Sequence, residues 1–166
     1  MIRSYAYDVE VLKNFFSISI IEVNDYLKVF KDCYDENDKK KAPIPLVQKY
    51  TVKEIKEKLN SVIKYSFYIT DKDDSQLLTM LGFINGLRPH YEIQKENDIE
   101  KQIPVRTDMF GFNSSKYDKL MVAAFLMFSN QTDNTKELIT KLYETSKKII
   151  SSQNDYEIFK HDYLLG

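Results

Sequence analysis

Cysteine, glycine and proline are scarce in this chain, and long apolar runs are missing from it. The single cysteine, Cys33, excludes an intramolecular disulfide and any metal site built of thiolates alone. With no His or second Cys at catalytic spacing, it reads as a small core or strand residue. No stretch approaches the roughly 18 consecutive apolar residues of a membrane span. Met1-Ile2-Arg3-Ser4-Tyr5 opens the chain without the apolar run of a signal peptide, so no membrane partner and a cytoplasmic location are expected. Charge of one sign is lacking too. The 24 basic and 25 acidic side chains leave a formal charge of −1, which provides no global field for nucleic acid and restricts any such contact to local groups. What remains, 166 residues with 43% apolar and 30% charged, is the composition of an ordinary globular domain, and one domain over 1–166 is expected.

Three β-rich runs open the chain, at 2–11, 15–23 and 26–33, with the short polar breaks Lys13-Asn14 and Asn24-Asp25 between them. They predict an antiparallel meander of three strands with Asn24-Asp25 as a tight turn. The stretch 35–42 has no periodicity and ends at Pro43-Ile44-Pro45, which marks a loop leaving the sheet. Thr51 with Glu54 three residues on is a capping pair, and the apolar spacing after it predicts a helix ending near Lys64. A fourth strand follows at 65–69 and a helix at 75–87, closed by Arg88-Pro89. The charged segment 92–102 is read as an irregular surface insertion. A short strand over 107–113 feeds a helix over 116–128 that is apolar on most sides. Asn134 caps a last helix over 135–151. Strands first, then helices interleaved with strands, imply an α/β fold: a mixed sheet, with a meander and parallel strands, flanked by helices.

Two groups of residues carry possible chemistry. Asp8 and Glu10 are one residue apart in a strand, so the period of two turns both carboxylates to one face. Such a pair is held together by a raised pKa or by a cation, and hard oxygen ligands suit Mg²⁺ or Mn²⁺. An isolated Asp-x-Glu is more often an exposed acidic strand face. Apolar Ala6, Val9 and Val11 around the pair, and a third acid, Asp118, at the start of a buried helix, favour the metal. Asp118 has a plain role as well, complementing the helix dipole for about 0.3–1 kcal/mol. Asn113 reads equally as a turn or cap residue. Lys116 and Lys119 read as solvated, and Tyr5 and Tyr7 as packed in the sheet.

The order Asp8-Val9-Glu10, then Gly111-Phe112-Asn113-Ser114-Ser115-Lys116-Tyr117-Asp118, resembles the first two motifs of the DEDD-type 3′→5′ exonucleases. The resemblance runs over about residues 5–128 and is nearest to the N-terminal exonuclease domains of phage-type and other family B DNA polymerases. It implies an RNase H-like fold and two Mg²⁺ or Mn²⁺ ions. By it, Asp8 bridges both ions, Glu10 holds the ion that carries the attacking water, and Asp118 serves the second ion. Asn113 and Tyr117 position a single-stranded 3′ end of DNA. Two such ions, about 3.5–4 Å apart, activate water and stabilise the leaving 3′ oxygen during in-line displacement. They also offset the charge of the phosphate. The many Lys, Asn, Ile and Tyr residues match an AT-rich coding source such as a phage, so host cytoplasm is the expected compartment.

The family's third motif, a Tyr-x-x-x-Asp or His-x-x-x-x-Asp on a last helix, has no copy after Asp118. Tyr143 is followed at that spacing by Lys147 and Tyr156 by Lys160, while His161-Asp162 is adjacent rather than spaced. The expectation is an N-terminal part of a longer protein, or a chain truncated ahead of the third motif, with polymerase sequence as the partner in the same protein. The alternatives are an acid supplied by another chain, and a catalytically inactive nucleic-acid-binding or assembly domain of the same fold. A third possibility is a structural interaction protein in which the three acids are unrelated.

Overall fold

The computed structural model describes residues 1–111 and 117–152. Its frame is a five-stranded mixed sheet of order β3-β2-β1-β5-β4. Strand β1 (Ile2–Leu12) turns through Lys13-Asn14 into β2 (Phe15–Glu22), which it meets antiparallel from Tyr5↔Glu22 to Leu12↔Phe15. Strand β3 (Lys64–Thr70) lies antiparallel on the other side of β2. The meander is therefore real, but its third strand is 64–70 and not 26–33.

The residues read as a third strand instead form helix α1 (Val23–Val29) and a single 3-10 turn at Lys31–Cys33. Asn24-Asp25, expected as a tight turn, lies in the first turn of α1. The β-propensity of Tyr26, Val29 and Phe30 is overridden by packing, since propensity of this kind records fit to a pleated surface more than a backbone preference. In a helix Tyr26 and Phe30 share a face, with ring centroids 4.8 Å apart. Phe30, Cys33 and Val62 are buried outside the main core. Asp25 also accepts a hydrogen bond from the Ile63 amide at 2.6 Å, tying α1 to the entry of β3.

The loop through Pro43-Ile44-Pro45 forms as expected, followed by one turn of helix, α2 (Leu46–Lys49). Helix α3 (Val52–Asn60) starts at Thr51, whose Oγ1 accepts from the Glu54 amide at 3.2 Å, and stops four residues before the sequence reading because β3 begins at Lys64. Helix α4 (Leu77–Gly86) follows. The segment 92–102 is no irregular insertion. It is most of a hairpin joining β4 (His90–Glu96) to β5 (Ile99–Gly111) through Asn97-Asp98, whose φ values of 51° and 62° are the left-handed pair of a type I′ turn. Its charges pair across the strands, Lys95 with Glu100 and Lys101 with Glu96, and suit an exposed edge where further strand pairing is unwanted.

The 13-residue β5 has two partners. Residues 99–105 pair with β4, and 106–111 run parallel beside β1 from Ile2↔Arg106 to Tyr7↔Gly111. This is the sheet's one parallel pair. Helix α5 (Lys119–Ser129) returns over the sheet, and α6 (Thr135–Ser151) starts at Asn134, whose Oδ1 accepts from the Glu137 amide at 3.1 Å. Met80 of α4, Phe125 and Phe128 of α5, and Leu138, Leu142 and Ile149 of α6 join Tyr7, Val9, Phe16, Ile18, Ile20 and Ile69 in one core. Alternation along the strands assigns all those sheet residues to one face, so the three helices share that face. Among the described residues no helix is long and apolar enough to cross a membrane.

Candidate metal centre

Because Tyr7 and Val9 turn into the helix-covered core, Asp8 and Glu10 between and beside them must turn the other way. Both are exposed, on the strand at the middle of the sheet. Across the ladder Asp8 faces Ser19 and Glu10 faces Ser17. Beyond them on β3 stand Ser66 and Tyr68, and on β5 Phe110 pairs with Ala6. The floor beside the acids is thus small and hydroxylated, with Phe110, 56% exposed, on one side. A cleft of about 480 Å³ opens there between Asp8, Ser19, Phe110 and Gly111.

Asp118 arrives from the other direction. The parallel strand β5 ends at Gly111, level with Tyr7, and the chain re-enters described structure at Tyr117 and Asp118, a widened turn leading into α5. Turns of this π type often occur at functional sites. Asp118 is the N-cap residue of α5 in position, yet its side chain makes no capping bond and is only 3% exposed. A carboxylate at that end gains from the helix dipole, as the sequence suggested.

Tyr117 connects the two motifs. Its hydroxyl is 2.8 Å from Ser146 Oγ on α6. Burial pushes its pKa above the ordinary tyrosine value; the Ser146 hydrogen bond acts in the opposite sense, and the charges of Asp118 and Asp8 push it further up. The Tyr117 hydroxyl therefore stays protonated at neutral pH and feels both acids. Asp8 and Asp118 thus both act electrostatically on one group, although they stand far apart in the chain. Glu10 shares the face of Asp8 but stands one ladder step further on, opposite Ser17. Asn113, Lys116 and the segment holding Tyr156, Lys160, His161 and Asp162 lie outside the described residues.

The donor set is right in kind for a hard divalent cation, being all carboxylate oxygen with hydroxyls nearby. In number it falls short: among the described residues no three His, Cys, Asp or Glu side chains are grouped closely enough to hold an ion. Two participants escaped the sequence reading. Phe110 was hidden inside an apolar run, and only its phase against Ala6 reveals that it faces the acids. Ser146, on the far helix, gives no signal in sequence at all. Comparison of the chain with protein-family models, with curated proteins and with solved structures returns no match.

Proposed function

We propose that this chain is a two-metal-dependent 3′→5′ exonuclease domain of RNase H-like type, acting on single-stranded 3′ ends of DNA as part of a phage-type replication polymerase. The observation that carries the reading is the Asp8–Glu10 pair, exposed on one face of the central strand β1, with Asp8 lining the cleft at Phe110 and Gly111. It is supported by the order of elements, with the first-motif acids on the central strand of a meander and the second-motif acid at the start of the helix after the parallel strand. Asp8 and Glu10, with Asp118, would hold Mg²⁺ or Mn²⁺, and the ions would supply activated water and stabilisation of the leaving oxygen. Asp8 and Glu10 present their carboxylates to solvent, where a phosphate can approach without crossing the core. Tyr117, protonated and held by Ser146, orients the 3′ end beside them.

The test is release of mononucleotides from a 3′-labelled single-stranded oligonucleotide by the full chain with Mg²⁺ or Mn²⁺. Release that stops with chelator and with Asp8→Ala is expected. Metal-dependent release that survives Asp8→Ala would sink the reading.

One observation favours a second reading, an inactive nucleic-acid-binding domain of the same fold: the described residues do not assemble three ligands. Binding of the oligonucleotide without cleavage, even at high Mn²⁺, selects it.

A further inference from the structure

The helix-covered side of the sheet carries an apolar hollow on the opposite face from Asp8 and Glu10. Helices α4 and α5 carry no charged residue from Leu77 to Gly86 or from Leu120 to Ser129. Helices so uniformly apolar are normally buried on most sides. Here only Met80 of α4 is fully buried, and Ile84, Leu87, Val122, Ala123 and Leu126 remain partly open. Between the two helices lies a cavity of about 500 Å³ floored by Ile20 and Met109. Its size falls within the range of small-molecule sites, as does its make-up of apolar walls with few polar groups.

Beside the uncharged Tyr7 and Asn85, the charged groups of its lining are of one sign. Arg88, just past the end of α4, and Lys119, at the start of α5, both line the cavity, and among the described residues no acidic one does. Among the described residues neither cation is engaged in an ion pair, so both are available to a ligand. Two unpaired cations beside an apolar hollow complement a molecule with an aliphatic body and one anionic end.

We infer that this cavity binds an amphipathic monoanion of the medium-chain fatty-acid class, its chain between α4 and α5 and its carboxylate at Arg88 and Lys119. A charge-assisted contact is worth enough that removing both cations costs about tenfold or more in affinity. An uncharged ligand of the same length loses nothing.

The experiment is calorimetric titration of the full chain with decanoate and, in parallel, with decan-1-ol. Decanoate is expected to bind one-to-one and more tightly than the alcohol. Arg88→Gln with Lys119→Gln should abolish that preference and leave decanol binding unchanged. Ala123→Phe, which fills the cavity, should remove both. Both cations are exposed, so the double variant decides the matter even where Ala123→Phe fails to fold. Equal affinity for acid and alcohol, or no heat from either with a folded chain, overturns the assignment. So does a dimer in sedimentation velocity that decanoate leaves intact and Leu126→Glu dissociates, because a second copy would then be the occupant.

Discussion

The two faces of β1 are made from alternate residues of one short segment and have opposite physical characters. Tyr7 and Val9 enter a core closed by α4, α5 and α6, while Asp8 and Glu10 stand exposed among Ser19, Ser66 and Phe110. The helix-covered face obtains its free energy from apolar burial, with Phe16 stacked on Phe125 at 5.0 Å between centroids. The open face obtains little from its acids, whose mutual repulsion is tolerated because water screens it. Stability and the proposed chemistry thereby fall on opposite sides of the same strand, one residue apart.

That contrast can be broken most directly from the core side. Phe125→Ala removes a fully buried ring and should destabilise the fold by about 3–5 kcal/mol, read by urea denaturation with an unchanged slope. A loss below about 1 kcal/mol would mean that the helices are not closed on the sheet. Asp8→Ala on the open face should move the same transition by no more than about 0.5 kcal/mol, while abolishing any metal-dependent nuclease activity. If instead it unfolds the chain, Asp8 is a structural residue and the division between the faces fails.

A third comparison lies at the sheet's far edge, where Arg3 on β1 spans β5 to bind Glu92 on β4 through two 2.8 Å hydrogen bonds. His90 Nε2 meets the same carboxylate at 3.1 Å, and its Nδ1 lies 2.8 Å from the Arg88 carbonyl. The hydrogen bonds from Arg3 and then His90 hold the Glu92 pKa below its ordinary value, and the Arg88 carbonyl and then Glu92 raise that of His90. A depressed carboxylate contributes stability above its unfolded pKa, about 4.3, and loses it as pH falls through the lower folded value. A raised imidazole contributes below its unfolded pKa, about 6.5, and loses it as pH rises through the higher folded value. Both contributions coexist between about pH 4.5 and 6.5. The Tm difference between the native chain and Glu92→Gln should be largest in that window and shrink on both sides. A difference independent of pH would show that the network is not formed. The smallest effect belongs to the β4–β5 turn: Asp98→Gly should stabilise by about 0.5 kcal/mol, since glycine adopts φ 62° without strain. A destabilisation there would argue against the type I′ geometry.

Local chemistry decided a good part of the structure. The caps at Thr51 and Asn134, the bounds of α6 and the hairpin at Lys13-Asn14 follow from neighbours within a few residues, so they could be read from sequence. The same locality turned Asp8 and Glu10 to a common face. Asn-Asp occurs four times, however, and the dipeptide alone does not distinguish the helical copy at 24–25 from the turn at 97–98. The difference comes from what lies on either side. β2 takes 64–70 as its partner and leaves 26–33 to pack as helix, whereas 90–96 and 99–105 have each other.

Residues 26–33 look like a strand in isolation and 92–102 like a loop, because pairing partners and buried surface are non-local quantities. Only the tertiary structure could bring the charges of Asp8 and Asp118 to bear on Tyr117, tether that side chain to Ser146, and leave a cavity between two mostly apolar helices. The sequence by itself determined which residues carry charge, caps and alternation. The fold decided which of them meet, since meeting depends on the closure of chain segments that exert no influence on one another until they pack.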